Sequence, residues 1–135
     1  MKIVLDSNVC VAAFVSRGLC SALMELCLDR FEVISSDFIL NEIQRTLADK
    51  IRINPGIVDE IIKYLKENFK VCTYNKLDSR VCRDKDDDEI LALAKSNGCD
   101  FIITGDKDLL ILKEFAHIPI FDPRQFWEYV RQQVK

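Results

Sequence analysis

The chain has 135 residues, of which 49% are hydrophobic and 30% are charged, and its formal net charge at pH 7 is −3. These values are ordinary for one globular domain that buries enough surface to need no disulfides. No apolar run approaches the roughly 20 residues of a membrane span, and the start reaches a charge too early for a signal peptide. We therefore expect a cytoplasmic protein without a membrane partner.

In the first half of the chain, short β-branched runs alternate with stretches of helical periodicity. Ser7 or Asn8 can cap the helix after the first strand, and Ser35 or Ser36 can cap the helix after the second. The elements predicted for this half are a strand at 2–6, a helix broken by Gly18, a helix at 21–28, a strand at 31–35, a helix carrying Ile39 to Leu47, a helix starting at Asn54-Pro55 and a strand at 71–73.

The second half continues the alternation after a polar linker. Its predicted elements are a helix carrying Ile90 to Ala94 that ends near Asn97-Gly98, a strand at 101–103, a helical turn at 109–112, a strand at 118–121, and a last helix that opens with a capping box at 122–125 and carries Phe126, Val130 and Val134. Pro119 predicts an edge position for its strand. The alternation predicts a three-layer α/β/α fold with a mainly parallel, five-stranded sheet.

The six cysteines, at 10, 20, 27, 72, 82 and 99, contain no C-x-x-C pair, and the single histidine is His117. This pattern gives little support to a zinc site. We interpret the cysteines as small buried hydrophobic residues of a reducing compartment, and His117 as a surface or rim residue.

Four acidic residues fall where parallel sheets place their ligands, beyond the carboxyl ends of the strands. Asp6 ends the first strand and Asp106 follows the fourth. Asp87 starts the helix that leads into the fourth strand, and Glu42 lies in the helix after the second. Asp6 is not needed as a helix cap, because its two neighbours can cap. We therefore predict that these carboxylates converge in one cleft.

Two of these positions have a second interpretation. Glu42 borders an apolar stripe, where an unpaired carboxylate would cost about 1–3 kcal/mol, but it can also reach solvent or pair with Arg45. Acids in a first helical turn complement the helix dipole. Asp87 shares the face of the apolar residues that follow it, whereas Asp86 and Asp88 turn away, and the spacing leaves the choice among these three open.

Carboxylates that converge stay ionised together only when a cation lies between them. Oxygen ligands without histidine or cysteine select Mg²⁺ or Mn²⁺, which lower the pKa of a bound water and stabilise the leaving oxygen in phosphoryl chemistry. A phosphate-binding glycine-rich loop, a G-x-S-x-G motif and a pair of histidines are all missing from the sequence. Metal-bound carboxylates would also offset the negative formal charge, so a phosphate substrate is not excluded.

The segments "IVLDSNV", "CRDKDDDEILALA" and "DFIITGDKDLL", together with Glu42, resemble the PIN-domain ribonucleases, in particular the VapC-like toxins of prokaryotic toxin–antitoxin pairs. The resemblance covers nearly the whole chain. It implies that Asp6, Glu42, Asp87 and Asp106 are catalytic, bind Mg²⁺ or Mn²⁺, and cleave single-stranded RNA to leave 5′-phosphate ends. It also implies that hydrogen bonds from Asn8 and Thr104 support these acids.

Three further expectations follow from the same resemblance. Asp108 can assist in holding a second metal. A homodimer and an antitoxin partner are expected, although the apolar stripes at 61–69 and 126–134 fit a core as well as an interface. The candidates for contacts with the RNA backbone are Arg45, Lys50, Lys107 and Lys113, which also fit solvated helix faces.

Two other functions fit the sequence less well. A non-catalytic PIN-like module would bind RNA or a protein without cleaving it. A phosphatase of the haloacid-dehalogenase type would need an aspartate two residues after Asp6, where this chain has Asn8.

Overall fold

The computed structural model describes residues 1–133. In chain order its elements are β1 (Lys2–Leu5), α1 (Ser7–Val15), α2 (Leu19–Arg30), β2 (Glu32–Ser35), α3 (Asp37–Arg45), a π-helix (Thr46–Lys50), α4 (Pro55–Asn68), β3 (Lys70–Val71), α5 (Lys85–Ser96), β4 (Phe101–Ile103), α6 (Lys107–Leu110), β5 (Glu114–Phe115), β6 (Ile118–Phe121) and α7 (Pro123–Gln133).

The strands form one sheet in the order β3-β2-β1-β4-β6-β5, and every pair except β5–β6 is parallel. Helices cover both faces, which confirms the predicted three-layer α/β/α fold. From β1 the chain builds the sheet outward through β2 and β3, and it then returns to add β4 on the other side. The carboxyl ends of β1 and β4 therefore meet at the topological switch point, where open α/β sheets bind ligands.

The central strands are apolar throughout because both of their faces are covered. Ile3, Val4 and Leu5 of β1 are buried, as is all of β4. The last helix, α7, packs against the sheet through a cluster of aromatic rings whose centroids lie 5.1–6.3 Å apart. The members of this cluster are Phe31, Phe101, Phe121, Phe126 and Tyr129.

Several helix starts follow the predicted capping chemistry. Ser36 caps α3 by accepting a hydrogen bond from the Ile39 amide, and Asn54 caps α4. The capping box of α7 is confirmed, because the amides and side chains of Asp122 and Gln125 bond reciprocally. Val134, which we predicted on the buried side of α7, lies outside the described residues.

The cap of α1 differs from the prediction. Asp6, rather than Ser7 or Asn8, is the N-cap residue, and its Oδ1 accepts a hydrogen bond of 2.7 Å from the Ser7 amide. Asp6 is thus used for local structure as well as for any chemistry. The physical reason is that β1 ends at Leu5, so the helix begins one residue earlier than expected.

The predicted five-stranded sheet gains a sixth strand. Residues 114–115 form the short β5, which pairs in a hairpin with β6, so the edge position predicted from Pro119 is wrong. The turn consists of Ala116 (φ 49°) and His117 (φ 66°), a type I′ geometry that neither residue type favours. Two other elements are shifted, since β3 is Lys70–Val71 and α6 is Lys107–Leu110.

Three further features concern the cysteines, the histidine and the length of the helices. All six cysteines are free, and four of them are buried. His117 is exposed, as expected. Within residues 1–133 no single helix is long and apolar enough to cross a membrane, and the one pair that would qualify together, α1 with α2, is bent by 113°.

Candidate active site

Asp6 directly follows β1, so it lies at the switch point of the sheet, where the carboxyl ends of β1 and β4 meet. Its amide donates to the carbonyl of Ile103 at 2.9 Å, which continues the β1–β4 pairing by one step. The side chain is 5% exposed, and three donors contact its carboxylate. These are the Ser7 amide at 2.7 Å, the Thr104 hydroxyl at 2.8 Å and the Asn8 side chain at 3.3 Å. The orientation of Asp6 is therefore fixed.

Thr104 and Asn8 connect Asp6 to the loop that carries Asp106. The Thr104 hydroxyl donates to Oδ2 of Asp6 and accepts a hydrogen bond of 3.0 Å from the Asp106 amide. The Asn8 side chain donates to the same Asp6 oxygen and accepts from the Gly105 amide at 2.9 Å. A side chain at Gly105 would approach the Asn8 amide, so a small residue suits this turn. Asp6 and Asp106, which are 100 positions apart in the sequence, are thus held together by short chains of hydrogen bonds.

A second group of carboxylates meets at the same edge. Oxygen atoms of Asp87, Asp106 and Asp108 all lie within 4.8 Å of one another. Asp106 caps α6 by accepting from the Asp108 amide at 2.9 Å. Asp87 extends from the first turn of α5 and is only 6% exposed. Within residues 1–133, Oδ2 of Asp87 is buried and has no hydrogen-bond partner.

Two neighbours of Asp87 have other roles, which the sequence did not predict. Asp84 caps α5 by accepting from the Asp86 amide. Asp88 accepts from the amides of Val81 and Cys82 at 3.1 and 2.8 Å. Asp87 is therefore the acid of this run that points into the cluster, although its function as a metal ligand stays a prediction.

The carboxylates raise one another's pKa values. Burial raises the pKa of Asp87 to about 7, with further contributions from contact with Asp106 and from the charges of Asp106, Asp84 and Asp6. Burial also raises the pKa of Asp6, and the Asp106 charge adds to this, whereas the hydrogen bonds from Thr104, Ser7 and Asn8 oppose it. Such shifts are typical of functional sites, where carboxylates accumulate negative charge that a bound group must balance.

Glu42, in α3, is the fourth of the predicted acids. It is half-buried, and its Oε1 accepts a hydrogen bond of 3.4 Å from the Ser7 hydroxyl. Burial raises the pKa of Glu42, as do the nearby charges of Asp6 and Asp86. Within residues 1–133 it forms no ion pair with Arg45, so the alternative of a simple surface pair does not describe it. The charges of the four predicted acids therefore act on one another, but of these four only Asp87 and Asp106 belong to the set of oxygens that lie within 4.8 Å of one another.

The basic residues that we predicted as RNA contacts are dispersed. Arg45 and Lys50 line a cleft of about 330 Å³ that also includes Glu42, Thr46 and Asp49. Three of these lining residues, Thr46, Asp49 and Lys50, belong to the π-helix, and such segments often occur at functional sites. The other two candidates follow β4. Lys107 is exposed directly after Asp106, and Lys113 is exposed before β5 with a φ of 64°.

Two contacts in the site were not predicted. Ser7 contacts Glu42 instead of capping α1. Arg83 lies in the 72–84 loop, the segment between β3 and α5, and its Nη2 contacts both oxygens of Asp108. The sequence signal for Arg83 is its position immediately before the acid run. The loop has no periodicity, however, so its path could not be predicted.

The arrangement fits a divalent cation. All candidate ligands are oxygens, which suits Mg²⁺ or Mn²⁺. The buried, unpartnered Oδ2 of Asp87 is the strongest sign, because a buried carboxylate oxygen without a partner is costly unless another group binds it. Asp6 retains few free positions, since three donors already bind its oxygens.

Similar folds occur among solved structures. VapBC2 from Rickettsia felis, crystallised bound to a DNA fragment from its promoter, aligns with a TM-score of 0.67 and 13% identity over 90% of this chain and 98% of that one. VapC20 from Mycobacterium tuberculosis, described as a Sarcin-Ricin loop cleaving toxin, aligns with a TM-score of 0.60 and 14% identity over 87% and 98%. At these identities the likeness shows the fold alone.

A comparison with curated proteins finds no match. A comparison with family models gives a match to the PIN domain over residues 2–108. The matched region contains Asp6, Glu42, Asp87 and Asp106, and it spans most of the chain. The protein therefore belongs to the PIN-domain family.

Proposed function

We propose that the protein is a metal-dependent endoribonuclease that cleaves single-stranded RNA, and that it is the toxin of a toxin–antitoxin pair. The observation that carries the proposal is the buried Oδ2 of Asp87, which has no partner within residues 1–133 and belongs to a carboxylate within 4.8 Å of Asp106 and Asp108. A carboxylate placed in this way is suited to bind a cation. PIN domains are a family of nucleases, and this supports the reaction class.

The toxin assignment rests on the structural relatives. VapC20 is described as a Sarcin-Ricin loop cleaving toxin, and VapBC2 was crystallised bound to a DNA fragment from its promoter. By analogy we propose an antitoxin partner and a homodimer for this chain. Six free cysteines fit a reducing compartment such as the cytoplasm.

In the proposed mechanism, Asp6, Glu42, Asp87 and Asp106 would hold Mg²⁺ or Mn²⁺. A divalent ion held there would lower the pKa of a water molecule and offset the charge that develops on the leaving oxygen. The chain's own groups prepare the site: Thr104 and Asn8 hold Asp6 in one orientation, while Ser7 holds Glu42.

The two alternatives make different predictions about the site. A phosphatase of the haloacid-dehalogenase type needs an acid where Asn8 braces Asp6 and Gly105, and this disfavours it. A non-catalytic PIN module needs no cation. Calorimetric titration with Mn²⁺ separates this alternative from the nuclease, because the module would show no binding at millimolar metal.

Asparagine substitutions test the proposed nuclease directly. Asp6→Asn and Asp87→Asn should each reduce cleavage of a fluorescently labelled, mixed-sequence single-stranded RNA at least about 100-fold in Mn²⁺, because each removes one charge from the cation site. Circular dichroism should show that both variants stay folded.

Asp29→Asn is the control, because Asp29 is exposed at the end of α2, just before β2 starts, at the edge of the sheet opposite the acids. It should retain cleavage within a few-fold of the wild type. Equal activity in Asp87→Asn and Asp29→Asn would contradict the proposed site.

A further inference from the structure

The guanidinium group of Arg83 lies directly beside the acid cluster. Its Nη2 donates to Oδ1 and Oδ2 of Asp108 at 3.0 and 3.1 Å, yet 85% of the side chain is exposed. Within residues 1–133 its Nε and Nη1 make no hydrogen bond. Guanidinium has five N–H donors, so Arg83 keeps most of its donors for another anion.

The backbone that carries Arg83 is fixed, although the tip of the side chain is exposed. Asp88 accepts hydrogen bonds from the amides of Val81 and Cys82, and Arg80 donates to the carbonyls of Cys82 and Arg83. The Cys82 side chain is buried beneath. Because Asp88 adjoins Asp87 in α5, these contacts hold Arg83 at a set place relative to the cluster.

The negative charges of the acids explain why a positively charged side chain is needed beside them. Asp6, Glu42, Asp87, Asp106 and Asp108 carry five negative charges when ionised, and one divalent ion leaves a negative excess. A phosphodiester would be repelled by this excess unless a further cation contacts it.

Two arginines lie near acids of the site, one near Glu42 and one near Asp108. Arg45 lies near Glu42 but forms no ion pair with it within residues 1–133, whereas Arg83 contacts Asp108 directly. Arg83 is therefore the arginine whose positive charge lies beside Asp87, Asp106 and Asp108.

We propose that Arg83 is a phosphate-binding residue that exchanges Asp108 for a phosphate oxygen of bound single-stranded nucleic acid; this proposal rests on the proposed function. Arginine binds phosphate through planar, charge-assisted hydrogen bonds, and the exposed pair with Asp108 is weak enough to be replaced. Asp108 then serves as the partner of Arg83 while no substrate is bound.

The test uses the full chain in Mn²⁺ with a labelled, mixed-sequence single-stranded RNA 12-mer. Arg83→Gln should raise both the KM for cleavage and the Kd measured by fluorescence anisotropy about 10-fold, with kcat changed much less. The slope of log K against log salt should fall by about 0.7, the value for one lost phosphate contact on a single strand. Arg83→Lys, which keeps the charge, should retain the slope and lose only part of the affinity.

Arg17→Gln is the matched control, because Arg17 follows α1 at the end of that helix remote from Asp6 and is also exposed. Its Kd and salt slope should equal those of the wild type. Calorimetry should show that Arg83→Gln and Arg17→Gln bind Mn²⁺ at least as tightly as the wild type, because the loss of the Arg83 charge removes a group that repels the metal. A loss of Mn²⁺ binding in Arg83→Gln alone would instead show that Arg83 acts on the metal site, and it would overturn the proposal.

A double-mutant cycle with Asp108→Asn separates phosphate binding from a purely structural contact. If Arg83 binds phosphate, Arg83→Gln still weakens RNA binding about 10-fold in the Asp108→Asn background. If Arg83 only orients Asp108, its effect disappears in that background, and the proposal is overturned.

Failure of the two proposals can be told apart. Wild-type cleavage together with an unchanged Kd in Arg83→Gln would remove only the proposal for Arg83. RNA binding that depends on Arg83 without any cleavage would remove the nuclease function and retain the phosphate site. A wild type that neither binds nor cleaves the RNA would overturn both.

Discussion

The hydroxyl of Thr104 makes two hydrogen bonds of opposite sense, one to Asp6 and one from the Asp106 amide. It is fully buried at the end of β4, so no water can replace either bond easily. Its donation to Asp6 also opposes the rise in the pKa of that carboxyl. The residue therefore affects the charge of the site as well as its geometry.

Replacing Thr104 with valine should lower the free energy of unfolding by about 1–3 kcal/mol, because the shape is kept while Asp6 and the Asp106 amide each lose a buried partner. Urea unfolding measures this change. Thr104→Ser, which retains the hydroxyl, should cost less than half as much. Equal stabilities for the valine and serine variants would show that the two hydrogen bonds contribute little.

Individual site residues were predictable to the extent that they follow regular elements. Asp6 and Asp106 come directly after buried strands, and Asp87 shares a helix face with apolar residues, so their convergence follows from α/β geometry. The contacts of Ser7 and Arg83 depend on how α1 packs against α3 and on the path of the 72–84 loop. Such tertiary details leave no periodic signal in the sequence.

Among the elements, the β5–β6 hairpin shows where local sequence signals fail. Helix starts at Ser36, Asn54 and Asp122 carry side chains that bond the first-turn amides, and they were predicted correctly. The hairpin turn has Ala116 and His117 at positive φ, where glycine and asparagine are usual. Without those residues the turn gives no signal, so β5 was missed and the position of Pro119 was wrong.

The same turn offers a stabilising substitution. Ala116→Asn combined with His117→Gly should raise the free energy of unfolding by about 1 kcal/mol, since both residues then favour the left-handed backbone. Chemical denaturation would detect this change. Ala116→Val, a β-branched residue at the same φ, should change stability in the opposite direction. A destabilised Asn-Gly variant would mean that the native side chains make contacts that outweigh the backbone strain.

At the scale of the whole molecule, the acid cluster links stability to pH and to metal. Burial gives Asp87 a higher pKa in the folded chain than its ordinary value of 3.8, so between about 4 and 7 the folded state binds the extra proton. The stabilising contribution of the protonated carboxyl is complete below the unfolded pKa and is lost as the pH rises through the folded pKa. Metal-free protein should therefore lose this contribution toward neutral pH.

Asp87→Asn removes the titration and should stabilise the metal-free protein relative to the wild type by about 1–3 kcal/mol at pH 8, but not at pH 4. Thermal melts in EDTA across this range measure the difference. Adding millimolar Mn²⁺ at pH 8 should raise the melting temperature of the wild type and leave that of the variant nearly unchanged. A pH-independent difference between the two proteins would contradict the linkage.

The pairing of β1 with β4 also has a consequence for how the protein is made. Asp6 and Glu42 emerge early from the ribosome, but the strand that completes the site is built from residues 101–103, and Asp106 follows it. On the proposed function, a nascent chain interrupted before this point holds no complete cation site. The proposed site therefore cannot act on the messenger or the ribosome that is translating it before β4 and Asp106 have been made.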